Sequence, residues 1–558
     1  MEGSTTDPYT NDPEYIATPL VSPIAPPRLN PPPSQRNGPP PQANNRDAPR
    51  DNPRDNPRDN LRPTAPVFRN DKNIPHQQVV QWLVCEASPE EGGWLDKLEV
   101  VVEKIGELDY DLFCVKEIVD ELFATKTKIS VIVPHDLYRA RSRANPYEAI
   151  GKSIFVNRSA VKMANLDAAC GFSQANQRTG SADFTFADIC SGPGGFTEYL
   201  LWRADRNGMK SRGWGMTLRG EQDFALENMN LQPPLKEVFA PFYGEDGTGD
   251  IYKDENIKGF AALINGATED KGVDLVTADG GFNVTGDELH QEDHSRQLVL
   301  CQVLTMFMTL RKGGDFTVKV FDLYTPFMVE LVYILYRFFE KIAIIKPFTS
   351  RPANSERYIV CHSLRASRPS AIINHLFAAN ERMNALKPNY TSADVISSHT
   401  TQQPGFLPRS LKVQNGMEEV TGLMNVDVVK TDKTFLSRIR TVNIRMTMSQ
   451  KEALQELYRY AADVRRATYD QVRIRRQCLQ EWNLPVPEEF HGRDTRHDEQ
   501  HRHGGNDRRT DQRFSPYKRP DGERDNRDSR HDHSRQDRTR YDRDAGSRHE
   551  DRDRNRYR

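Results

Sequence analysis

Four charged residues of this sequence have the types and the positions that proton-transfer chemistry needs. They are Lys162, Asp279, Lys319 and Glu356. Asp279 and Lys319 lie at the ends of two predicted strands, and Glu356 begins a third. Because a buried, unpaired ammonium is costly, a lysine within an apolar strand needs acidic partners, which Asp279 and Glu356 offer. The set is either a site that holds a lysine for proton transfer or a structural ion network.

A glycine-rich turn is the second segment with recognisable chemistry. It consists of Cys190, Ser191, Gly192, Pro193, Gly194, Gly195 and Phe196, between an apolar run and a helical one. Glycines let a ligand approach the backbone closely, because no Cβ blocks the approach. The turn lacks the Gly-Lys-Ser/Thr of a phosphate-binding loop, and its glycine spacing differs from the dinucleotide-binding pattern. A ligand site and an ordinary tight turn both fit these residues taken alone.

The elements that must position these residues alternate between strand and helix. Strands are predicted at 184–189, 213–217, 273–278, 315–321, 341–345 and 356–361. Helices are predicted after the glycine turn, at 297–310 and at 326–338. This alternation predicts an α/β fold, with a Rossmann-like, mostly parallel sheet and helices on both faces. Ligands of such sheets bind beyond the carboxyl ends of the strands, where Asp279 and Lys319 fall.

Helical patterns flank the predicted sheet on both sides. Before it, residues 95–104 and 110–122 show helical periodicity. After it, Ser449 and Glu452 have the spacing of a helix-initiating capping box, and 469–482 is predicted as a further helix. A basic stretch also precedes the glycine turn, and either a solvated helix face or an anion-binding cleft would explain it.

The composition distinguishes an ordered middle from two polar ends. The chain has 558 residues, a net charge of −2, and only 36% hydrophobic residues, which is low for a chain folded throughout. Its seven cysteines show neither Cys-x-x-Cys nor zinc spacing, so we predict a reducing compartment and no metal site. The N-terminus does not resemble a signal peptide, and no apolar run approaches the ~20 residues of a membrane helix. A membrane partner is therefore not expected.

We predict four parts along the chain. Residues 1–72 are a disordered Pro/Asn/Arg-rich arm, and 73–365 are the Rossmann-like domain with an N-terminal helical extension. Residues 366–490 are a C-terminal helical part of the core, and 491–558 are a disordered Arg/Asp/His-rich tail. The arm and the tail carry too few apolar residues to offset the entropy cost of ordering them.

On this predicted sheet, Lys162, Asp279, Lys319 and Glu356 resemble the K-D-K-E tetrad of the FtsJ-type ribose 2′-O-methyltransferases. The flanking segments 144–148, 162–165, 278–282 and 350–358 are similar to those of the family's eukaryotic mRNA cap enzymes. The resemblance implies a class I methyltransferase fold with S-adenosylmethionine as cofactor. It also implies methylation of the ribose 2′-hydroxyl of the first transcribed nucleotide of capped mRNA, which converts cap 0 to cap 1.

The same resemblance implies a role for each candidate residue. The tetrad would be catalytic, with Lys319 as the base, and no metal would be required. The cofactor would contact Asn157, the turn from Cys190 to Phe196, Asp250 and Ile251. The cap and the first nucleotide would contact Lys126, Lys128, Arg141 and Asn354. From the residues alone, Asp250 would equally suit an ordinary turn.

Two other functions remain open on the sequence. One is a ribose 2′-O-methyltransferase for the second cap nucleotide or for structured RNA, and the other is an inactive RNA-binding scaffold. The expected substrate is the capped 5′ end of pre-mRNA or mRNA, and the expected location is the nucleus. The tails are candidates for contact with RNA polymerase II or the capping machinery.

Overall fold

The computed structural model describes Phe68 and residues 73–221, 223–281, 288–387 and 416–487. The tail predicted at 491–558, and the arm predicted at 1–72 except for Phe68, lie outside these residues. The chain divides into two units after Pro485, and almost all of the described residues belong to the first unit. No helix of the described residues is long and apolar enough to cross a membrane.

The described strands run from β1 to β10 in chain order. They are β1 (Leu83–Val84), β2 (Leu98–Lys104), β3 (Phe184–Ile189), β4 (Ser211–Met216), β5 (Phe239–Phe242), β6 (Val273–Ala278), β7 (Leu310–Val320), β8 (Phe339–Ile345), β9 (Arg357–Leu364) and β10 (Glu418–Met424). The α-helices before β6 are α1 (Lys116–Ser130), α2 (Pro134–Ala144), α3 (Arg158–Cys170), α4 (Ala175–Thr179), α5 (Gly195–Arg206), α6 (Pro233–Glu237) and α7 (Asp254–Ala267). Those after it are α8 (Gln291–Thr309), α9 (Pro326–Phe338), α10 (Ser370–Ala385), α11 (Asp427–Thr431), α12 (Lys433–Ala462) and α13 (Gln471–Glu481).

Eight strands form the central sheet in the order β1-β8-β9-β7-β6-β3-β4-β5. The five strands from β7 to β5 are parallel neighbours, whereas β9 runs antiparallel to both β7 and β8. The chain proceeds outward from β3 to β5 and then reverses to β6 and β7 on the other side. This reversal makes the boundary between β3 and β6 the topological switch point, where ligands of doubly wound sheets bind.

Helices cover both faces of the sheet, because right-handed crossovers that run in opposite directions place their helices on opposite faces. Helix α5 connects β3 to β4 and packs against α3, while α8 connects β6 to β7 and packs against α7, α9 and α10. The predicted α/β class and mostly parallel sheet are therefore confirmed. The strands predicted at 184–189 and 273–278 and the helix at 326–338 agree with the structure to the residue.

The predicted helix over 95–104 is wrong. A short 3-10 helix at Leu95–Lys97 leads into β2, which pairs antiparallel with β10 in a second sheet, Val102 opposite Val420. Three consecutive valines, which favour strands through their branched Cβ, lie inside β2. The partner strand is more than 300 residues away in sequence, beyond the reach of any local pattern.

The helix start predicted at Ser449 is also wrong. Helix α12 begins at Lys433, and the Asp432 carboxylate caps it by accepting a hydrogen bond from Phe435 N at 2.9 Å. Ser449 lies in the interior of the helix, where the spacing to Glu452 reflects two exposed or half-buried helical positions. The later helix, predicted at 469–482, is α13.

Candidate active site

Three strand ends and one helix bring the four charged residues to one edge of the sheet. Asp279 follows β6, and Lys319 is the penultimate residue of β7, which is parallel to β6. Strand β9 is antiparallel to β7 with Tyr358 opposite Lys319, so Glu356, just before β9, lies at the same edge. Lys162 reaches this edge from α3.

Asp279 lies between the two lysines. Lys319 Nζ is 3.0 Å from Asp279 Oδ1 and donates a hydrogen bond to the Asp279 backbone oxygen at 2.6 Å. Lys162 Nζ is 3.8 Å from Asp279 Oδ2 and 3.2 Å from Glu356 Oε2. The structure thus brings all four predicted residues into one ion network in which each ammonium has a carboxylate partner.

Burial and the neighbouring charges shift the pKa values of the network's residues. The side chains of Asp279 and Lys319 are only 7% and 10% exposed. Burial alone would raise the pKa of Asp279, but the charges of Lys162 and Lys319 outweigh it and lower that pKa to about 2. For Lys162 the signs are reversed. Burial alone would lower the pKa of Lys162, but the charges of Asp279 and Glu356 outweigh burial and raise that pKa. Asp279 is therefore a fixed anion, and Lys162 a fixed cation, at neutral pH.

Tyr358 completes the network and was not predicted. Its side chain is fully buried, and its hydroxyl donates to Asp279 Oδ1 at 2.6 Å. The Tyr358 hydroxyl oxygen also accepts a hydrogen bond from Lys162 Nζ at 3.3 Å. Alternate residues of an extended chain point to one face, so the two-residue spacing from Glu356 was a usable signal.

The glycine turn connects β3 to α5, and Asp188 on β3 stabilises it through hydrogen bonds to the start of α5. This fully buried carboxylate accepts hydrogen bonds from Thr197 N at 3.1 Å, Thr197 Oγ1 at 2.7 Å and Thr277 Oγ1 at 2.7 Å. Burial raises the pKa of Asp188 to about 6, against the opposing effect of these donors. Asp188 thereby fixes the first turn of α5 to β3 and to the neighbouring β6.

Protein atoms fill the space beside two of the glycines. Gly194 has φ = +98°, a conformation that L side chains rarely adopt, and a Cβ there would overlap Met229 Cε. A Cβ on Gly195 would overlap Asn157 Oδ1 and would lie 2.8 Å from Ala160 N. Glycine is required at Gly195 by packing against α3 and its cap, and at Gly194 by the positive φ and the neighbouring Met229, in addition to any ligand approach. Asn157 itself caps α3 by accepting from Ser159 N at 2.9 Å.

Ser191 joins the glycine turn to the ion network. Its buried hydroxyl accepts a hydrogen bond from Asp279 N at 3.2 Å and donates to the Ile189 carbonyl at 3.1 Å. A ligand held by the turn would therefore lie next to the carboxylate between the two lysines. The turn also contains a cis peptide bond between Gly192 and Pro193.

Asp250 and Ile251 lie in the segment between β5 and α7. The Asp250 carboxylate accepts a hydrogen bond from Tyr252 N at 2.9 Å, as a turn residue would, and the side chain is half-buried. Ile251 is buried. Gly249 packs against the Thr217 carbonyl just beyond the end of β4, so this segment lies at the carboxyl edge of the sheet.

A known protein family matches the part of the chain that contains the candidate active site. The FtsJ-like methyltransferase family matches residues 155–364. This range contains the glycine turn, the Asp250 segment and all four members of the ion network. We call residues 155–364 the FtsJ-like domain, after the family that they match. Its matched range ends at the last residue of β9, so α10 and everything after it lie outside the FtsJ-like domain.

The similarity to curated relatives extends beyond the FtsJ-like domain. The cap-specific mRNA (nucleoside-2′-O-)-methyltransferase 1 of Xenopus laevis is 37% identical over 386 residues, which is 67% of this chain and 42% of the relative. The protein of the same name from Dictyostelium discoideum is 35% identical over 74% of this chain and 53% of its own length. The chain spans about half the length of the curated relatives it matches.

One solved structure aligns with part of this chain. A ribosomal RNA methyltransferase from Plasmodium falciparum aligns with 37% of this chain and 97% of its own chain. The sequence identity of the pair is 19% and the TM-score is 0.27.

The three cations predicted to bind substrate lie outside the FtsJ-like domain, on α1 and α2. Lys126 Nζ is 3.9 Å from Asp322 Oδ2, just beyond the end of β7, which places it near the ion network. Lys128 follows two residues later, about 200° around the same helix, and is exposed. Arg141, on α2, is also exposed. The structure thus brings Lys126, and not Lys128, towards Asp322.

Asn354 lies in the loop between β8 and β9, where its side chain is exposed. Lys346 Nζ holds this loop by donating to the Asn354 carbonyl at 2.6 Å and to the Glu356 carbonyl at 2.8 Å. Helix α12 supports the loop from outside, since Gln450 Nε2 donates to the Ala353 carbonyl at 3.1 Å. The loop therefore presents Asn354 to solvent beside the ion network.

Glu148 links the loop to the start of α3. It contacts Arg158 Nη1 at 2.6 Å and Arg351 Nη2 at 3.0 Å, and accepts from Asn145 Nδ2 at 2.8 Å. Burial opposes ionisation, but the two guanidinium groups outweigh it and lower the pKa of Glu148 to about 2. The ion pair between Glu148 and Arg351 thus joins two segments that are far apart in sequence, 145–148 and 350–358.

Within the described part of the chain, no group of three or more His, Cys, Asp or Glu side chains has the arrangement to hold a metal ion. The free cysteines belong mostly to the core, and burial raises the pKa of Cys190 in the glycine turn to about 12.

Proposed function

We propose that this protein transfers a methyl group from S-adenosylmethionine to the ribose 2′-hydroxyl of the first transcribed nucleotide of capped mRNA, converting cap 0 to cap 1. The observation that carries the proposal is the placement of Asp279 between Lys162 and Lys319, with Glu356 at 3.2 Å from Lys162. The names of the relatives support the substrate, and the FtsJ-like domain supports the reaction type.

The residues of the glycine turn and of the Asp250 segment fit S-adenosylmethionine. Helix α5 begins within the turn, at Gly195, and the first backbone N–H groups of a helix suit an anionic group such as the cofactor's carboxylate. The half-buried Asp250 carboxylate offers an acceptor to the amino group of the adenine or to a nearby hydroxyl. When bound, the cofactor supplies an electrophilic methyl group on its sulfonium.

The ion network then has a defined task. A ribose 2′-hydroxyl is a weak nucleophile that must lose its proton as the methyl group is transferred. In the proposed mechanism the neutral amine of Lys319 takes this proton and becomes an ammonium, or the Lys319 ammonium aligns the oxygen that carries the proton. Asp279 and the fixed charges of Lys162 and Glu356 hold Lys319 in place, so the reacting groups meet in one geometry.

The capped end of the RNA would be held by Lys126, Lys128 and Arg141, because triphosphate affinity requires cations. Asn354, exposed beside the network, would contact the first nucleotide. We further propose the nucleus as the location, with RNA polymerase II or the capping machinery as partners through the two tails.

Methyl transfer from labelled S-adenosylmethionine to three short RNAs tests this proposal. The RNAs share one sequence and carry a cap 0 end, a cap 1 end or an uncapped triphosphate. We expect label only in the cap 0 RNA, at the ribose of its first nucleotide after nuclease digestion. Equal labelling of uncapped RNA would indicate a structured-RNA enzyme, and labelling of cap 1 RNA would indicate the second cap nucleotide. Absence of label in all three would indicate a scaffold.

A further inference from the structure

Two asparagines of helix α10 hold the turn that carries Asp250 and Ile251, although α10 lies outside the FtsJ-like domain. Asn380 and Asn384 are one helical turn apart. The side-chain Nδ2 of each donates a hydrogen bond to the same backbone carbonyl, that of Tyr252, at 2.9 Å. Tyr252 directly follows Asp250 and Ile251, the two residues of this segment proposed to contact the cofactor.

Helix α8 fixes the orientation of both amides. Gln297 Nε2 donates to Asn380 Oδ1 at 2.8 Å and to Asn384 Oδ1 at 2.7 Å. With both oxygens accepting from one glutamine, both Nδ2 groups must face the opposite side, where the Tyr252 carbonyl lies. Asn380 is fully buried, so these hydrogen bonds do not compete with water.

Two further hydrogen bonds hold the turn, one at its start from its own segment and one just after it from α10. Asn256 Nδ2 donates to the Asp250 carbonyl at 3.0 Å, and Asn380 Nδ2 also donates to Asp254 Oδ1 at 2.8 Å. Lys387, just beyond α10, places its ammonium 4.1 Å from the centre of the Tyr252 ring. Helix α10 is thus the element that satisfies the Tyr252 carbonyl and fixes the exit of the turn.

We propose that Asn380 and Asn384 are positioning residues for the cofactor. By holding the Tyr252 carbonyl they fix the direction in which Asp250 and Ile251 face the adenine, so cofactor affinity depends on a helix outside the FtsJ-like domain. This inference rests on the proposed binding of S-adenosylmethionine at Asp250 and Ile251. Linkage requires the reverse effect as well, so a bound cofactor stabilises the contact between α10 and the turn.

The test uses Asn384→Ala in the full chain, because Asn384 is half-buried and its removal leaves Asn380 in place. We expect the Kd for S-adenosylhomocysteine, measured by calorimetry, to rise at least ~5-fold, the effect of losing the one hydrogen bond to the Tyr252 carbonyl. The substitution also removes the hydrogen bonds that Asn384 Oδ1 accepts from Gln297 and Lys387, which hold α10 rather than the turn. The KM for S-adenosylmethionine should rise with it, whereas kcat at saturating cofactor and the Kd for cap 0 RNA should not change.

Asn265→Ala is the matched control. Asn265 is also half-buried and also donates through Nδ2 to a backbone carbonyl, that of Met308 at 3.2 Å, but on α7. It should lower the Tm through the one hydrogen bond that it removes and leave the Kd for S-adenosylhomocysteine unchanged. An unchanged Kd in Asn384→Ala, with a wild type that binds, overturns the inference alone. A wild-type protein that does not bind S-adenosylhomocysteine overturns both the inference and the proposed function.

Discussion

At the scale of single residues, Asp279 is the centre of the candidate active site. It accepts from Tyr358, contacts both lysines, and donates through its backbone N–H to Ser191 of the glycine turn. One carboxylate therefore connects the methyl donor's proposed site with the proposed proton acceptor. Its lowered pKa keeps it charged over the whole physiological pH range.

The first prediction concerns Tyr358→Phe, which removes only the hydroxyl that donates to Asp279. We expect the single-turnover rate of methyl transfer to cap 0 RNA to fall roughly tenfold or more, because a hydrogen bond to a charged group is lost. Binding of S-adenosylhomocysteine and RNA should stay close to that of the wild type. Tyr333→Phe, at a buried tyrosine of α9 that packs on Trp94 and Phe435, is the control. A wild-type rate in Tyr358→Phe would exclude this residue from the network's function.

At the scale of elements, the strand order places the glycine turn and Asp279 side by side across the switch point between β3 and β6. The sequence predicted these elements because each is a short apolar run that ends at a turn or a charged residue. The four residues of the ion network were predicted from their resemblance to the FtsJ-type tetrad. Their common position at one edge of the sheet was predicted because three of them lie at the ends of predicted strands. Tyr358 was missed because a tyrosine within an apolar strand gives no signal of its own.

Elements with distant partners could not be predicted in the same way. Strand β2 pairs with the distant strand β10. Its residues do not alternate strictly between buried and exposed, so the local sequence pattern was interpreted as a helix. Short β5, four residues with a proline, lacks the length that a pattern needs. The hydrogen bonds from Asn380 and Asn384 to the Tyr252 carbonyl likewise join positions more than 120 residues apart. Asparagine side chains are uncharged, so no charge pattern in the sequence indicates these bonds.

A prediction at this scale concerns Gly195→Val at the start of α5. The added side chain would collide with Asn157 and α3, so we expect the free energy of unfolding to fall by the ~1–3 kcal/mol typical of overpacking. The Tm should fall accordingly, and S-adenosylhomocysteine binding should be lost. Gly266→Val on α7 is the control, since a Cβ there meets nothing within 4 Å. Melting and calorimetry on both variants decide the matter. Wild-type affinity in Gly195→Val would contradict the proposed role of the glycine turn.

The pH dependence of stability can be predicted from Glu330, which joins α9 to β10. This carboxyl, 1% exposed, accepts from Leu423 N at 2.6 Å and Met424 N at 3.2 Å. Burial outweighs these donors and raises the pKa of Glu330 to about 8 from 4.5. The folded state then holds a proton that the unfolded state releases, so the stability from this group is complete below pH 4.5 and is lost as pH rises to 8.

Glu330→Gln should remove that dependence, because the amide keeps an acceptor oxygen and does not titrate. Relative to the variant, we expect the wild type's free energy of unfolding to fall between pH 5 and 8, by at most ~1.4 kcal/mol per pH unit. Denaturant titrations across this range provide the measurement, with exposed Glu340→Gln as the control. Parallel pH curves for wild type and Glu330→Gln would show that Glu330 does not titrate in this range.

At the scale of the whole molecule, the candidate site draws on elements well beyond the FtsJ-like domain. Helix α1 supplies Lys126, α12 supports the Asn354 loop through Gln450, and α10 holds the Tyr252 carbonyl. Residues 145–148 anchor the same loop through Glu148. The FtsJ-like domain therefore carries the residues proposed to react, and the surrounding elements shape the proposed sites of the cofactor and the RNA.

This organisation predicts that a fragment of residues 73–490 retains the chemistry, since all candidate site residues lie within it. We expect its kcat on a short cap 0 RNA to be within a few-fold of the full chain's value. Circular dichroism and melting should first establish that the fragment is folded. A folded fragment that turns over far more slowly would assign the arm or the tail a direct part in catalysis.

The most direct test of the central claim is single-turnover methylation of cap 0 RNA by Lys319→Met. This change keeps the aliphatic length of the side chain and removes its ammonium. The account predicts a rate at least ~10²-fold below the wild type's, with near-normal Tm and near-normal binding of S-adenosylhomocysteine and RNA. Lys312→Met, at an exposed lysine on the same strand, should methylate normally. A Lys319→Met protein that transfers methyl groups at the wild-type rate would contradict the account.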